Sequence, residues 1–324
     1  MYLIIKNSRG SDMNNEVIGL NKNKMKELID KNLMVIATLF FSGAFIAGKF
    51  SIAEFPVYSL TFFRFLIAAV VLFLIMLKRG EDLSLKKSDI PRIILLSLLG
   101  MVGYHVLFFT ALKYTSSVNT SLIAAMNPII TTIMASLFLK EKFPKKAIGG
   151  IFLSFLGVAM IVTNGSIDVI KNMNFNVGDI SMLLAILSFS LYFIILKGIV
   201  GRIAPIKLTF YVFLFCVILL IPMVIYENPM SFLPNTTWTG WSSLIYMSIF
   251  ASVIAYLIQQ VSVKRIGPAK TSLYINLVPL FSMIMAYFIL GEVITLPKVL
   301  AGVMIISGVI ITLRSKKSEV KNKI

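Results

Sequence analysis

The chain has few of the residues from which catalytic and metal sites are built. Its 324 residues include one cysteine and one histidine, which excludes a disulfide framework and a structural zinc site. It has no HExxH or GxSxG motif and no GxxxxGK[ST] loop, so the signatures of metalloproteases, serine hydrolases and P-loop ATPases are missing. Charged residues are also scarce, at 14%. We therefore expect no cofactor and no enzymatic activity.

Apolar residues, in contrast, are abundant and predict an all-α polytopic membrane protein. They make up 58% of the chain, and the mean hydropathy is +0.90. A bilayer core requires about 20 mostly apolar residues per helix, and continuous rather than alternating apolar residues favour helices over strands. The sequence contains ten such runs: Leu33–Ala53, Val57–Leu77, Ile90–Leu112, Ser117–Leu139, Ala147–Thr163, Asp179–Leu196, Ile206–Tyr226, Gly240–Gln260, Thr271–Leu290 and Pro297–Leu313.

The net charge of +17 is explained mainly by topology. With ten spans both termini lie on one side of the membrane, and 26 lysines and arginines fall in the tails and loops of that side. Four fall on the opposite side, namely Lys49, Lys113, Lys171 and Lys298. The positive-inside rule then predicts a multi-pass protein of the cell membrane with both termini in the cytoplasm. A nucleic-acid partner is not needed to explain the charge.

An internal repeat divides the chain into two halves. Thr120, Pro128 and Glu141 recur, at an offset of 151 residues, as Thr271, Pro279 and Glu292. Each half holds five spans, and an odd number predicts that the second copy is inserted upside down; the basic content of corresponding loops changes sides as this requires. Inverted repeats place a substrate site near the membrane midplane and allow alternating access.

The predicted organisation therefore has five parts. They are a cytoplasmic N-terminal tail at 1–31, a first repeat at 32–164, an external linker at 165–177, a second repeat at 178–314 and a cytoplasmic C-terminal tail at 315–324. The polar N-terminal segment has no apolar stretch before Leu33, so we do not expect a cleavable signal peptide.

Several motifs resemble the EamA domain of the drug/metabolite transporter superfamily. In the first half these motifs are the stretch Phe109–Tyr114, then Pro128, then the Leu-Lys-Glu-Lys sequence that ends at Lys142. The glycines of the fifth span, Gly149 to Gly157, follow. The second half repeats them at Pro279, at Gly291-Glu292 and from Gly302 to Gly308. The resemblance covers roughly 33–313. It implies ten helices in two inverted five-helix repeats and the transport of small metabolites such as amino acids.

Two ionisable residues within spans are candidates for substrate binding. Arg64 lies about seven residues, or roughly 10 Å, into the second span, and His105 lies at a similar depth in the third. An arginine can bind a carboxylate through paired hydrogen bonds, and a histidine can change charge near neutral pH. We hypothesise that both contact an anionic substrate group. The alternative is that Arg64 reaches outward or bonds helix-end carbonyls while His105 only makes helix contacts.

Other candidates surround a predicted central cavity. Pro128 and Pro279 occupy equivalent positions within their spans, where each removes a backbone hydrogen bond and kinks the helix. Asn127 and Asn276 lie beside these kinks and would supply polar groups. Four tyrosines within spans could form the walls of the cavity: Tyr104, Tyr192, Tyr256 and Tyr274. Interfacial placement or simple packing is the alternative for each tyrosine.

The sequence thus favours a transporter, with export as the expected direction, that acts on amino acids or related carboxylate-bearing solutes. A membrane-embedded receptor or scaffold is the alternative, followed by a membrane enzyme. The expected partners are a small-molecule substrate and the lipid bilayer. The glycines of spans five and ten permit close helix packing, and a homodimer face is their second interpretation.

Overall fold

The computed structural model describes residues 33–139, 148–162, 176–199, 202–259, 262, 274–275 and 277–321. The helices that it contains are α1 (Leu33–Ser51), α2 (Val57–Lys78), α3 (Lys87–Tyr114), α4 (Ser117–Phe138), α5 (Ile148–Val162), α6 (Val177–Lys197), α7 (Pro205–Glu227), α8 (Trp238–Gln259), α9 (Val278–Leu290) and α10 (Leu296–Lys321).

Seven of these helices are long and apolar enough to cross a membrane, and α5, α9 and α10 contain shorter apolar stretches. Each helix overlaps one of the apolar runs in the sequence, which confirms the prediction of an all-helical polytopic membrane protein. The predicted N-terminal tail lies outside the described residues. At the other end of the chain, α10 continues through most of the predicted C-terminal tail, as far as Lys321.

Two of the long helices contain a π-helical segment, with one more residue in its hydrogen-bonded turn than an α-helix has. In α3 it is Ser97–Gly103, and in α8 it is Met247–Ala255. An offset of 151 residues carries Ser97 onto Ser248, so the segments occupy equivalent positions in the two halves. The two serines also bond alike, because each hydroxyl donates to the carbonyl four residues earlier, at 2.8 Å.

The helices pair in a way that follows the sequence repeat. α2 packs against α7, α4 against α9 and α5 against α10, so that each of these pairs joins equivalent helices. Hydrogen bonds match as well. Early in each half the offset is 148 residues, which carries Ser42 onto Ser190 and Thr61 onto Thr209. Thr61 bonds to the carbonyl of Val57 at 2.9 Å, and Thr209 to that of Pro205 at 2.8 Å.

Small residues bring α5 and α10 into backbone contact within the chain. A Cβ atom added to Gly150 would lie 2.5 Å from the carbonyl oxygen of Gly308, and one added to Gly308 would lie 2.3 Å from that of Gly150. Ser154 supports the contact by donating to the carbonyl of Ile305 at 3.0 Å. These glycines therefore pack two halves of one chain together, the first of the two interpretations that the sequence allowed.

Contacts between helix ends define the two ends of the bundle. At the first, which we call the Glu54 end, Glu54 accepts from the backbone N–H of Thr237 at 2.6 Å. At the opposite end Asp82 pairs with Lys207 at 3.1 Å. Hydrogen bonds from Ser84, and secondarily from Lys207, lower the pKa of Asp82 to about 2. This exposed carboxylate therefore stays ionised throughout the neutral pH range.

Candidate functional site

Arg64 lies inside the bundle with 3% of its surface exposed. Its Nε–H donates to the hydroxyl of Ser252 at 2.9 Å, and its guanidinium carbon lies 5.4 Å from the ring centroid of Phe65 and 5.9 Å from that of Phe109. The two rings provide cation–π contacts. An arginine has five N–H donors, and the bond to Ser252 is the one that its side chain makes among described residues. The bond from Nε therefore positions the guanidinium and leaves its terminal N–H groups without a hydrogen-bond partner among the described residues.

His105 lies beside Arg64, as the similar depths of the two residues in the sequence predicted. It is 2% exposed and interacts electrostatically with the guanidinium. Its Nδ1 is 3.1 Å from the carbonyl oxygen of Met101. Because a carbonyl can only accept, Nδ1 carries a proton, and Nε2 is an acceptor whenever the ring is neutral. The ring of His105 meets Phe65 edge to face, with centroids 4.7 Å apart.

Aromatic side chains form the walls around these two residues. Tyr104 and Tyr256 lie within electrostatic range of the guanidinium, and Tyr256 is 9% exposed. The ring centroid of Tyr104 is 4.6 Å from that of Phe189, which in turn stacks on Tyr192 at 5.3 Å. Three of the four predicted tyrosines thus belong to one continuous cluster.

Tyr274 lies before α9, and the two prolines lie within α4 and α9. The contacts between described residues do not connect Tyr274 to Arg64; it precedes α9, and its carbonyl accepts from the N–H of Leu277 at 2.9 Å. Helix α4 is interrupted between Ala124 and Asn127, immediately before Pro128, and Pro279 is the second residue of α9. Asn276 lies outside the described residues.

Asn127 links α4 to α6. Its Oδ1 accepts from the hydroxyl of Ser190 at 3.2 Å. In the equivalent place of the other half, the hydroxyl of Ser42 lies 3.1 Å from the carbonyl oxygen of Val278. The two contacts join α4 and α9, the helices that contain the repeated prolines, to the first helix of a half, α6 or α1. A role for either kink in opening a cavity remains a prediction.

Sequence reasoning missed Ser252 and the π-helical segments of α3 and α8. Ser252 and Met101, the hydrogen-bonding partners of Arg64 and His105, lie within these segments. The positions 101 and 252 differ by the same 151 residues as the repeat, so the two segments present their polar partners from equivalent places. A search for hydroxyl groups in the middle of spans would have included Ser252, but no sequence pattern indicates the π-helical turns.

Comparison with known proteins identifies the family. The model of the EamA-like transporter family matches residues 32–163 and 176–314. The uncharacterized transporter YyaM of Bacillus subtilis is 34% identical over 280 residues, covering 86% of this chain and 92% of that protein. An uncharacterized transporter of Archaeoglobus fulgidus is 30% identical over 287 residues, covering 86% and 96%.

A solved crystal structure shares the fold, with a TM-score of 0.60 at 18% identity, covering 89% of this chain and 99% of that one. The two matches to the family model coincide with two duplicated halves of the sequence. This multi-pass membrane protein is a transporter of a small-molecule substrate and not an enzyme, and it belongs to the EamA-like transporter family of the drug/metabolite transporter superfamily.

Proposed function

We propose that the protein exports small carboxylate-bearing metabolites, amino acids or related solutes, and that Arg64 binds the carboxylate. The observation that carries this proposal is a buried guanidinium fixed through Nε, with none of the described acidic side chains in contact with it. A buried cation normally requires an anionic partner. A substrate carboxylate would supply that partner through the terminal N–H groups of Arg64, in paired hydrogen bonds.

The aromatic cluster supports binding of the rest of the solute. Tyr104 and Tyr256 lie near the guanidinium, and Tyr192 extends the aromatic surface through its contact with Phe189. His105 offers Nε2 as an acceptor for a donor such as an ammonium group. Substrate binding by Tyr274 and Asn127 stays part of the proposal, as does that by Asn276, which lies outside the described residues. Pro128 and Pro279 would allow α4 and α9 to bend, because each proline removes a backbone hydrogen bond.

Alternating access between inverted repeats is the proposed mechanism. The matched helix pairs and the matched bonds of Thr61 and Thr209 support an inverted duplication, because equivalent parts of the two halves meet each other. We assign the halves to 32–164 and 178–314, with tails at 1–31 and 315–324 and a linker at 165–177. The distribution of basic residues supports cytoplasmic termini. The Glu54 end then faces the outside.

A panel of metabolites tests the substrate class directly. Purified protein is screened by thermal shift against amino acids, other carboxylates, amines and sugars, and each hit is then measured for flux in proteoliposomes. We expect carboxylates to raise the melting temperature and to cross the membrane, since a ligand that binds the folded state stabilises it. Esters of the same solutes are the matched controls. Equal stabilisation and flux by an acid and its ester would contradict the proposal.

Ser252 is predicted to position Arg64 for this task. Replacing Ser252 by alanine should raise KM by about 10- to 100-fold with little change in kcat, because hydrogen bonds to charged groups contribute about 1.5–3 kcal/mol. Ser248→Ala is the control, since that hydroxyl bonds within its own helix, to the carbonyl of Leu244. An equal loss in both variants, or a fall confined to kcat, would mean that Ser252 does not act through substrate binding.

A further inference from the structure

Four side chains hold the turn between α3 and α4 at the Glu54 end. Lys49 of α1 donates from Nζ to the carbonyl oxygens of Leu112 and Thr115, at 2.6 and 2.7 Å, where α3 ends. Glu292, which follows α9, accepts from the backbone N–H groups of Ser117 and Val118, at 2.8 and 3.1 Å, where α4 begins. A cation thus caps a helix C-terminus and an anion caps a helix N-terminus, as the helix dipoles favour.

The start of α6 completes this arrangement. Asn176 donates from Nδ2 to the carbonyl of Tyr114 at 3.0 Å, and Asp179 accepts from Nδ2 of Asn119 at 3.5 Å. We call Lys49, Asn176, Asp179 and Glu292 the clasp. The turn that they hold belongs to the first half of the chain, whereas Asp179 and Glu292 belong to the second half and Asn176 directly precedes it. The clasp therefore ties one half to the other.

An apolar layer lies between the clasp and Arg64. Phe45, Phe108 and Phe109 are at most 5% exposed, and their rings contact one another in series, with centroids 5.1 Å apart. On the side of the clasp, Leu112 and Phe109 fit against Gly48, where an added Cβ would lie 2.6 and 3.4 Å from them. On the other side the ring of Phe109 faces the guanidinium of Arg64. A solute leaving the Arg64 site toward this end would have to pass the layer.

We propose that the clasp is the external gate of the transporter, and that its charges hold this gate shut. The inference rests on the proposed alternating access and on the external position of the Glu54 end. Opening the path requires the turn between α3 and α4 to move away from α1, α6 and α9. The bonds to be broken then are those of Lys49 and Glu292 to the backbone. These bonds lie at helix ends, where water can replace them, so the gate can open without stranding a polar group in lipid.

A labelling experiment tests the gate without any substrate. The native cysteine is removed by Cys216→Ser, and Ala44→Cys places one thiol on α1 beside Phe45. A membrane-impermeant thiol reagent is added outside intact cells, and the labelling rate is compared with and without Glu292→Gln. Glutamine keeps the shape but removes the charge. We expect labelling to become at least tenfold faster when the charge is removed.

Glu81→Gln provides the matched control, because it makes the same charge change at the opposite end of the bundle and should leave the rate unchanged. Lys49→Gln releases the other side of the turn and serves as the second variant if Glu292→Gln fails to fold. Unchanged labelling in the folded variants would overturn the proposed gate. Since no solute is involved, an error in assigning Arg64 to carboxylate binding would not alter this result.

Discussion

Replacing Arg64 by glutamine is expected to lower kcat/KM for a carboxylate-bearing solute by about 30- to 3000-fold. Removing one partner of a buried charge pair costs about 2–5 kcal/mol, and each 1.4 kcal/mol corresponds to a factor of ten. Glutamine keeps a donor near Ser252 but cannot form paired, charge-assisted hydrogen bonds with a carboxylate. Flux in proteoliposomes with equal amounts of folded protein gives the measurement.

Two further variants show whether the loss reflects carboxylate binding. Arg64→Lys keeps the charge but not the fork of donors, so we expect it to recover part of the activity. Arg79→Gln removes an arginine just beyond the end of α2, outside the cluster around Arg64, and should transport normally. If Arg64→Gln transports the acid as well as the parent does, or loses the acid and its ester equally, the carboxylate assignment is wrong.

Replacing Gly150 by leucine is expected to prevent stable folding. The first added carbon would lie 2.5 Å from the carbonyl oxygen of Gly308 and 2.7 Å from the hydroxyl of Thr312, so α5 and α10 would have to separate. Overpacking costs about 1–3 kcal/mol even where side chains can shift. Here one of the clashing atoms is backbone. We expect a markedly lower yield of monodisperse protein in detergent, and a lower melting temperature for what remains.

The adjacent residue provides the matched control for this prediction. Gly149 has no heavy atom within 4 Å of an added Cβ, so Gly149→Ala should fold normally and gain slightly from its higher helix propensity. Equal destabilisation by substitutions at 149 and 150 would mean that the loss comes from lipid contact or membrane insertion of α5 and not from its packing against α10. A stable Gly150→Leu protein would show that α5 and α10 are not packed as closely as described.

Much of the architecture could be predicted from the sequence, because a bilayer restricts the structures that can span it. A span must be a helix of about 20 apolar residues, so the apolar runs anticipated the seven long helices and the three shorter ones found among the described residues. The sequence repeat did not by itself predict which helices would meet; the structure shows that equivalent helices do, as α2 meets α7 and α5 meets α10. The end of α10 was not predicted: the helix extends past the apolar run to Lys321, because its final turns are polar and carry no hydropathy signal.

The candidate site could be predicted in part from the distribution of charged residues along the sequence. Arg64 is the basic residue that topology does not explain. Its depth in the second span is similar to that of His105 in the third, which places the two near each other. Their partners were not predictable, since a π-helical turn rotates every later residue relative to an α-helical wheel. The wheel of α8 therefore misplaces Ser252, and the capping role of Glu292 depends on a turn distant in sequence.

The burial of Arg64 has an electrical consequence for the proposed cycle. An empty site carries the charge of the guanidinium, whereas a site that holds a singly charged carboxylate is neutral. A membrane potential of 100 mV acts on one elementary charge with about 2.3 kcal/mol across the whole bilayer. An inside-negative potential would therefore draw the empty site back to the cytoplasmic side and leave the loaded site unaffected. The return step would carry the current, so that a cell could expel such an anion without a sodium ion or a proton.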